Sequence, residues 1–128
     1  MGHSQCSEIA NDRKEQRLKG FLVALGIAVL VGALPAAAAT PVMKGVVGPG
    51  FTITLTGKPK KAGTYKLTVQ DKSNIHNFHL VGPGVNVATS VPALGTKTFT
   101  VKLKAGKVYR FLCDPHLTTM KGSFRVPS

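Results

Sequence analysis

Residues 96–126 read TKTFTVKLKAGKVYRFLCDPHLTTMKGSFRV. Phe99, Val101 and Leu103 fall on one side of the first run; Thr98, Thr100, Lys102 and Lys104 fall on the other. That period of two belongs to a strand with one buried and one solvated face. Ala105-Gly106 interrupts it. Tyr109, Phe111 and Cys113 then share one face of a second run, and Phe124 and Val126 one face of a third. Upstream the pattern repeats. Phe51, Ile53 and Leu55 alternate with Thr52, Thr54 and Thr56, and Tyr65, Leu67 and Val69 with Lys66, Thr68 and Gln70. Turn signals separate the runs: Gly48-Pro49-Gly50, Gly57-Lys58-Pro59 and Gly82-Pro83-Gly84. No helical period survives beside them. Roughly six to eight short strands predict an all-β domain, an antiparallel sandwich with Greek-key connections.

The chain has 128 residues, with 17 Lys plus Arg against 5 Asp plus Glu. Carboxylates are too few for a two-carboxylate hydrolase or an oxygen-ligand calcium site. Residues 21–39, FLVALGIAVLVGALPAAAA, carry no charge, and Arg13, Lys14, Arg17 and Lys19 precede them. A basic stretch, an apolar stretch and small residues at its end make residues 1–39 a secretory signal peptide, with an uncleaved membrane anchor as the rival reading. In both cases residues 40–128 form the domain and lie outside the cytoplasm: periplasmic, secreted or anchored on the extracytoplasmic side. The leader takes those four basic residues with it, and also Glu8, Asp12 and Glu15, so the domain keeps a formal charge of +11. Cys113 becomes the only thiol, in an oxidising compartment where an unused thiol is a liability.

Two segments carry soft and borderline metal donors. One is Ser73-Asn74-Ile75-His76-Asn77-Phe78-His79-Leu80, the other Cys113-Asp114-Pro115-His116-Leu117-Thr118-Thr119-Met120. Two imidazoles, a thiolate and a weak axial thioether are the donor set of an electron-transfer copper site. Cys113 ends a strand on its inward face, and the short loop after it returns His116 and Met120 towards the sulfur. The remaining imidazole must come from a neighbouring strand. Parity puts His76 on a face with Phe78 and Leu80, and His79 on the other face with Asn77. An inward sulfur needs an inward partner, so His76 is the expected ligand and His79 a surface histidine. Each residue alone has an ordinary explanation: a hydrogen-bonded core His, a core-filling Met, a small buried Cys. The ordered set Cys-x2-His-x3-Met with an upstream His-Asn carries the reading.

From about Phe51 to Val126 the sequence resembles the blue-copper cupredoxins, above all the small plastocyanin and amicyanin type. The resemblance rests on His76-Asn77, Cys113-x-Pro115-His116, Met120 and the Lys121-Gly122 step into a last strand. In amicyanin-like members a second, non-ligand His also follows three residues after the ligand, as His79 follows His76. The resemblance implies that His76, Cys113 and His116 hold one type 1 copper ion and that Met120 is its long axial ligand. It implies that Asn77 ties the two ligand segments together and that Pro115 withholds a backbone donor from the sulfur. The loop departs from the pattern: three residues separate His116 from Met120, where amicyanin has two and plastocyanin usually four.

The function so implied is a blue-copper one-electron carrier cycling Cu(II)/Cu(I) between extracytoplasmic redox partners, and not an enzyme. The alternative is a copper carrier or store without redox turnover. A Cys113–His116 nucleophile lacks an evident orienting group beyond Asp114 and Asn77, and a zinc site lacks a general base. An apolar patch of Pro83, Pro115 and Leu117 is expected around the exposed edge of His116. The positive charge points to an acidic redox protein or an anionic membrane surface, set against lysines that merely solvate the sheets. Nucleic acid is not a partner, since the domain is exported and aromatics do not interleave with the basic residues. No long apolar face is left over, so a monomer is expected.

Overall fold

The computed structural model describes residues 32–128. The chain divides into two compact units, Met1–Ala36 and Ala37–Ser128. The basic stretch and most of the apolar stretch within residues 1–39, expected to be a signal peptide or an anchor, lie outside the described residues. Residues 32–41 are exposed and take no regular secondary structure. Among the described residues no helix is long and apolar enough to cross a membrane.

The second unit is an all-β sandwich of eight strands: β1 Val42–Val47, β2 Ile53–Thr56, β3 Gly63–Asp71, β4 His79–Gly82, β5 Val85–Ala88, β6 Gly95–Leu103, β7 Val108–Leu112 and β8 Lys121–Arg125. One sheet has the order β2-β1-β3-β6, the other β5-β4-β7-β8. The alternation read from the sequence sets the faces. Leu67, Val69, Val101 and Leu103 are buried, and Lys66, Thr100 and Lys102 are exposed. Both sheets feed one core, in which Met43, Val47 and Leu67 meet Leu80, Tyr109 and Phe124. Burying a side chain such as Leu67 contributes about 1.5–3 kcal/mol.

One pairing departs from the expected antiparallel scheme. β1 and β3 run parallel, with Met43 opposite Leu67 and Val47 opposite Asp71. β2 turns back along one edge of β1, and the chain then crosses to the other side of β1, so β3 shares its direction. Alternation reports which face a residue takes, not which strand lies beside it. The expected inward role of Phe51 also fails. Phe51 precedes β2 and is 62% exposed.

The strand directions give the sandwich two distinct ends. β1, β3 and β7 finish, and β4 and β8 start, at the end holding Cys113. Phe78 and Phe111 brace that end from inside, stacked with ring centroids 5.9 Å apart. Gly45 makes room for them, since a Cβ there would come within 2.7 Å of the Phe78 ring.

Candidate metal centre

β7 delivers Cys113 to the inside. Tyr109, Phe111 and Cys113 share its buried face, as period two requires, and Cys113 has no exposed surface. A single 3-10 turn, Asp114–His116, follows directly, with Pro115 in its first positions. The His116 amide donates to the Cys113 carbonyl at 3.0 Å, and the Met120 amide to the His116 carbonyl at 2.9 Å. The Cys113 amide donates to the Met120 carbonyl at 3.0 Å. These bonds close the loop, bring His116 back over the sulfur, and bury Met120 in the same core cluster as Cys113.

His76 comes from the loop between β3 and β4. Asp71 shapes that loop from below. Its buried carboxylate accepts the Ser73 amide and the Thr89 hydroxyl, each at 3.1 Å, and the Thr89 oxygen accepts the Phe78 amide at 2.9 Å. The Ile75 amide donates to the Ser73 hydroxyl oxygen at 3.3 Å. Gly48, at φ 73°, packs against this loop; a Cβ there would press on Ser73 Cβ at 2.8 Å and lie 3.5 Å from the His76 ring. His76 ends fully buried, beside the core residue Phe78.

His76, Cys113 and His116 converge into a group able to hold a metal ion. The two Nδ1 atoms are 3.0 Å apart, and the sulfur lies 3.7 Å from His76 Nδ1 and 3.5 Å from His116 Nδ1. The point equidistant from these three atoms lies about 2.0 Å from each, inside the triangle, against typical metal–nitrogen and metal–thiolate bonds of about 2.0–2.3 Å. One ion therefore fits without moving a side chain far. Between two imidazoles facing through Nδ1, one hydrogen bond is the most the metal-free pair can make. Among the described residues His76 Nε2, which is buried, has no hydrogen-bond partner, so the ring's polar contacts there run through Nδ1.

Asn77 joins the two segments. Its side-chain oxygen accepts the Asp114 amide at 2.8 Å, and its NH2 donates to the Asp114 carboxylate at 2.6 Å. These two bonds tie the loop that holds His76 to the loop that follows Cys113.

Sequence reasoning missed three contributors. His79 is not a bare surface residue. Its Nδ1 meets Asp114 at 2.8 Å and its Nε2 meets the Asn86 side-chain oxygen at 2.7 Å. Burial opposes charge on the ring, but the bonds to Asp114 and Asn86 and the negative charge of Asp114 outweigh it and raise the His79 pKa. The physical cause is plain: both partners are acceptors, and only the protonated ring has two N–H groups. For Asp114, burial works towards a higher pKa, and the bonds from His79 and Asn77 with the charge of His79 win and lower it. Phe51 is the second contributor. Its ring stands edge-on to His116 and His76, with centroids 4.9 Å and 5.2 Å away. The Asp71–Thr89 pair is the third; only a tertiary contact between distant loops reveals it.

The apolar surface at this end is also drawn differently. Phe51, Ile75 and Leu117 are exposed beside the two histidines. Pro83 lies at the opposite end, where its carbonyl accepts the Tyr109 hydroxyl at 3.1 Å. β4 runs away from the metal centre, so the turn that directly follows Gly82 lies at the far end.

The sequence matches no family model and no curated protein.

Proposed function

We propose that the domain is a type 1 copper protein of the cupredoxin kind, a carrier of single electrons between extracytoplasmic partners. The observation that carries this reading is the triangle of two Nδ1 atoms and one thiol sulfur, with sides of 3.0, 3.5 and 3.7 Å, closed inside a stiff β-sandwich. Two imidazoles and a thiolate in a trigonal array, with a methionine buried nearby, suit copper in electron transfer better than the tetrahedral preference of zinc. The crossover that sets β3 beside β1 supports a Greek-key connection. Bound copper would supply the one-electron Cu(II)/Cu(I) couple.

The protein's own residues supply rigidity and access. Asn77 clamps the Cys113 loop to the His76 loop, so the donors keep their spacing whichever charge sits between them. The stacked Phe78 and Phe111 hold the two segments from below. His116 is half-buried, unlike His76, its ring stands against Phe51, and the exposed Leu117 follows it in the chain. That edge is the shortest way in or out for an electron, and its apolar rim excludes water when a partner docks. Pro115 would leave the sulfur one backbone donor short, as in the family the sequence resembles, and so bear on the potential.

The test is an absorbance and paramagnetic-resonance titration with Cu(II). An intense visible band with a narrow copper hyperfine pattern, reversible on reduction and absent in Cys113→Ser, is the expected result. A colourless protein at full copper occupancy would sink the reading. Stable copper binding with no reversible couple would leave storage or carriage instead.

A further inference from the structure

The strand directions also sort the charges. At the end away from Cys113, the loop between β2 and β3 carries Lys58, Lys60 and Lys61, the loop between β6 and β7 carries Lys104 and Lys107, and Arg125 ends β8. All six are exposed. These loops are neighbours. Gly63, at the end of the first loop, pairs with Leu103 just before Lys104, a Cβ on Gly84 would lie 3.7 Å from the Lys104 side chain, and Arg125 donates to the Gly106 carbonyl at 2.7 Å. A neutral carbonyl holds the Arg125 guanidinium in place without cancelling its charge. Both carboxylate side chains of the described residues lie at the other end, Asp71 buried at the close of β3 and Asp114 paired with His79 after β7.

We infer that this basic end is a docking face for an anionic phospholipid surface, with the metal centre turned away from the lipid. Two observations favour lipid over an acidic protein. Only Thr40 and Pro41 separate the uncharged run 21–39 from Val42 at the start of β1. A chain that keeps this run is tethered through the start of β1, and β1 starts at the basic end. A chain that loses it keeps the same charges. In addition, the cations are spread over two loops and the end of β8 with no exposed aromatic side chain among them. A protein partner is usually gripped through aromatic anchors in a compact centre, whereas dispersed lysines match a lattice of phosphates. The inference goes beyond the copper reading and does not depend on it.

The experiment uses the protein as recovered from an exporting host. It is mixed with vesicles of pure phosphatidylcholine and with vesicles of equal parts phosphatidylcholine and phosphatidylglycerol. Partition onto the anionic vesicles is expected to exceed that onto neutral ones by at least about tenfold at low salt and to fall as salt is added. Lys60→Gln, Lys61→Gln and Lys107→Gln should each lower it about fivefold. Lys72→Gln and Lys121→Gln, at the metal end, should leave it nearly unchanged, with circular dichroism checking that every variant is folded. Equal partition onto the two vesicle types, or equal losses from variants at the two ends, overturns the proposal. Capture by soluble polyglutamate while vesicles stay unbound also overturns it and assigns the face to an acidic polypeptide. No metal enters the readout, so a failed copper titration and a failed vesicle experiment are separate results.

Discussion

At one end of the sandwich the loops turn polar atoms inward, and at the other they turn them outward. The same strands bound both ends, and the core between them is uniformly apolar. At the metal end a thiol, two imidazoles and the Asp71 carboxylate are buried or half-buried, and each meets another polar group. At the basic end ammonium groups stand in solvent, and the polar groups turned inward mostly settle a turn. The Tyr109 hydroxyl, for example, accepts the Lys104 amide at 2.9 Å and donates to the Pro83 carbonyl. The contrast separates two roles of a loop: spacing donors around a point, and presenting charge to a surface. Changes at one end should therefore leave the properties of the other almost untouched.

The strongest attempt to break that separation removes a donor. Cys113→Ser and His116→Ala should each abolish or transform the visible band of the copper form. His116 is half-buried and lies on a loop tied by Asn77, so the His116→Ala domain should stay folded, with its thermal midpoint within a few degrees of the parent. Global unfolding of His116→Ala would mean that the histidine is structural.

Much of this arrangement was legible before any coordinates. Period two placed Tyr109, Phe111 and Cys113 inside, whereas the parity that set His76 against His79 and Asn77 does not hold: β4 begins only at His79, and His76, Asn77 and Phe78 are all buried in the loop before it. What escaped has a common physical origin. Phe51 looks like a core residue because it extends the alternation of Ile53 and Leu55, yet the turn at Gly50 lifts it out of the sheet and lays it across the histidines. β1 carries Gly45 where a large apolar residue would announce a strand, because Phe78 occupies that space. His79 was read by its face, and its partners Asn86 and Asp114 come from another strand and from the ligand loop. Alternation describes one strand at a time, and each of these residues takes its role from a neighbour distant in sequence.

The next largest effect lies in the packing between the ends. Gly45→Ala should cost about 1–3 kcal/mol in urea unfolding, because the Phe78 ring must move to admit a methyl group. Phe78 directly follows Asn77, so this variant should also broaden the copper spectrum. An unchanged spectrum would show that the strain relaxes away from the site.

Tyr109→Phe probes the basic end. It removes a hydroxyl that serves one amide and one carbonyl, and should cost about 1 kcal/mol while leaving the visible band as it was. A shifted band would show that the two ends communicate along β7.

The smallest effect is a dependence on pH. His79 has a raised pKa, so its contribution is complete below the unfolded-state histidine pKa and fades as pH rises through the folded value. Asp114 has a lowered pKa, so its contribution is complete above the unfolded-state carboxylate pKa and fades as pH falls through the folded value. The pair stabilises most in mildly acidic solution, where both groups are charged. Asp114 is 48% exposed and His79 21%, so solvent screens the pair and keeps the gain below about 1 kcal/mol. Subtracting the stability of His79→Gln from that of the parent at a series of pH values should give a shallow hump, and a flat difference would remove the pair from the stability account.

The Asn77 bridge has one more consequence. It engages the backbone and carboxylate of Asp114 and none of the three donor atoms, so the receptacle is assembled by folding and not by its cargo. Loading should then release protons and water without a large ordering step. It should be fast and nearly silent in far-ultraviolet dichroism, unlike the coupled folding and capture of small zinc modules.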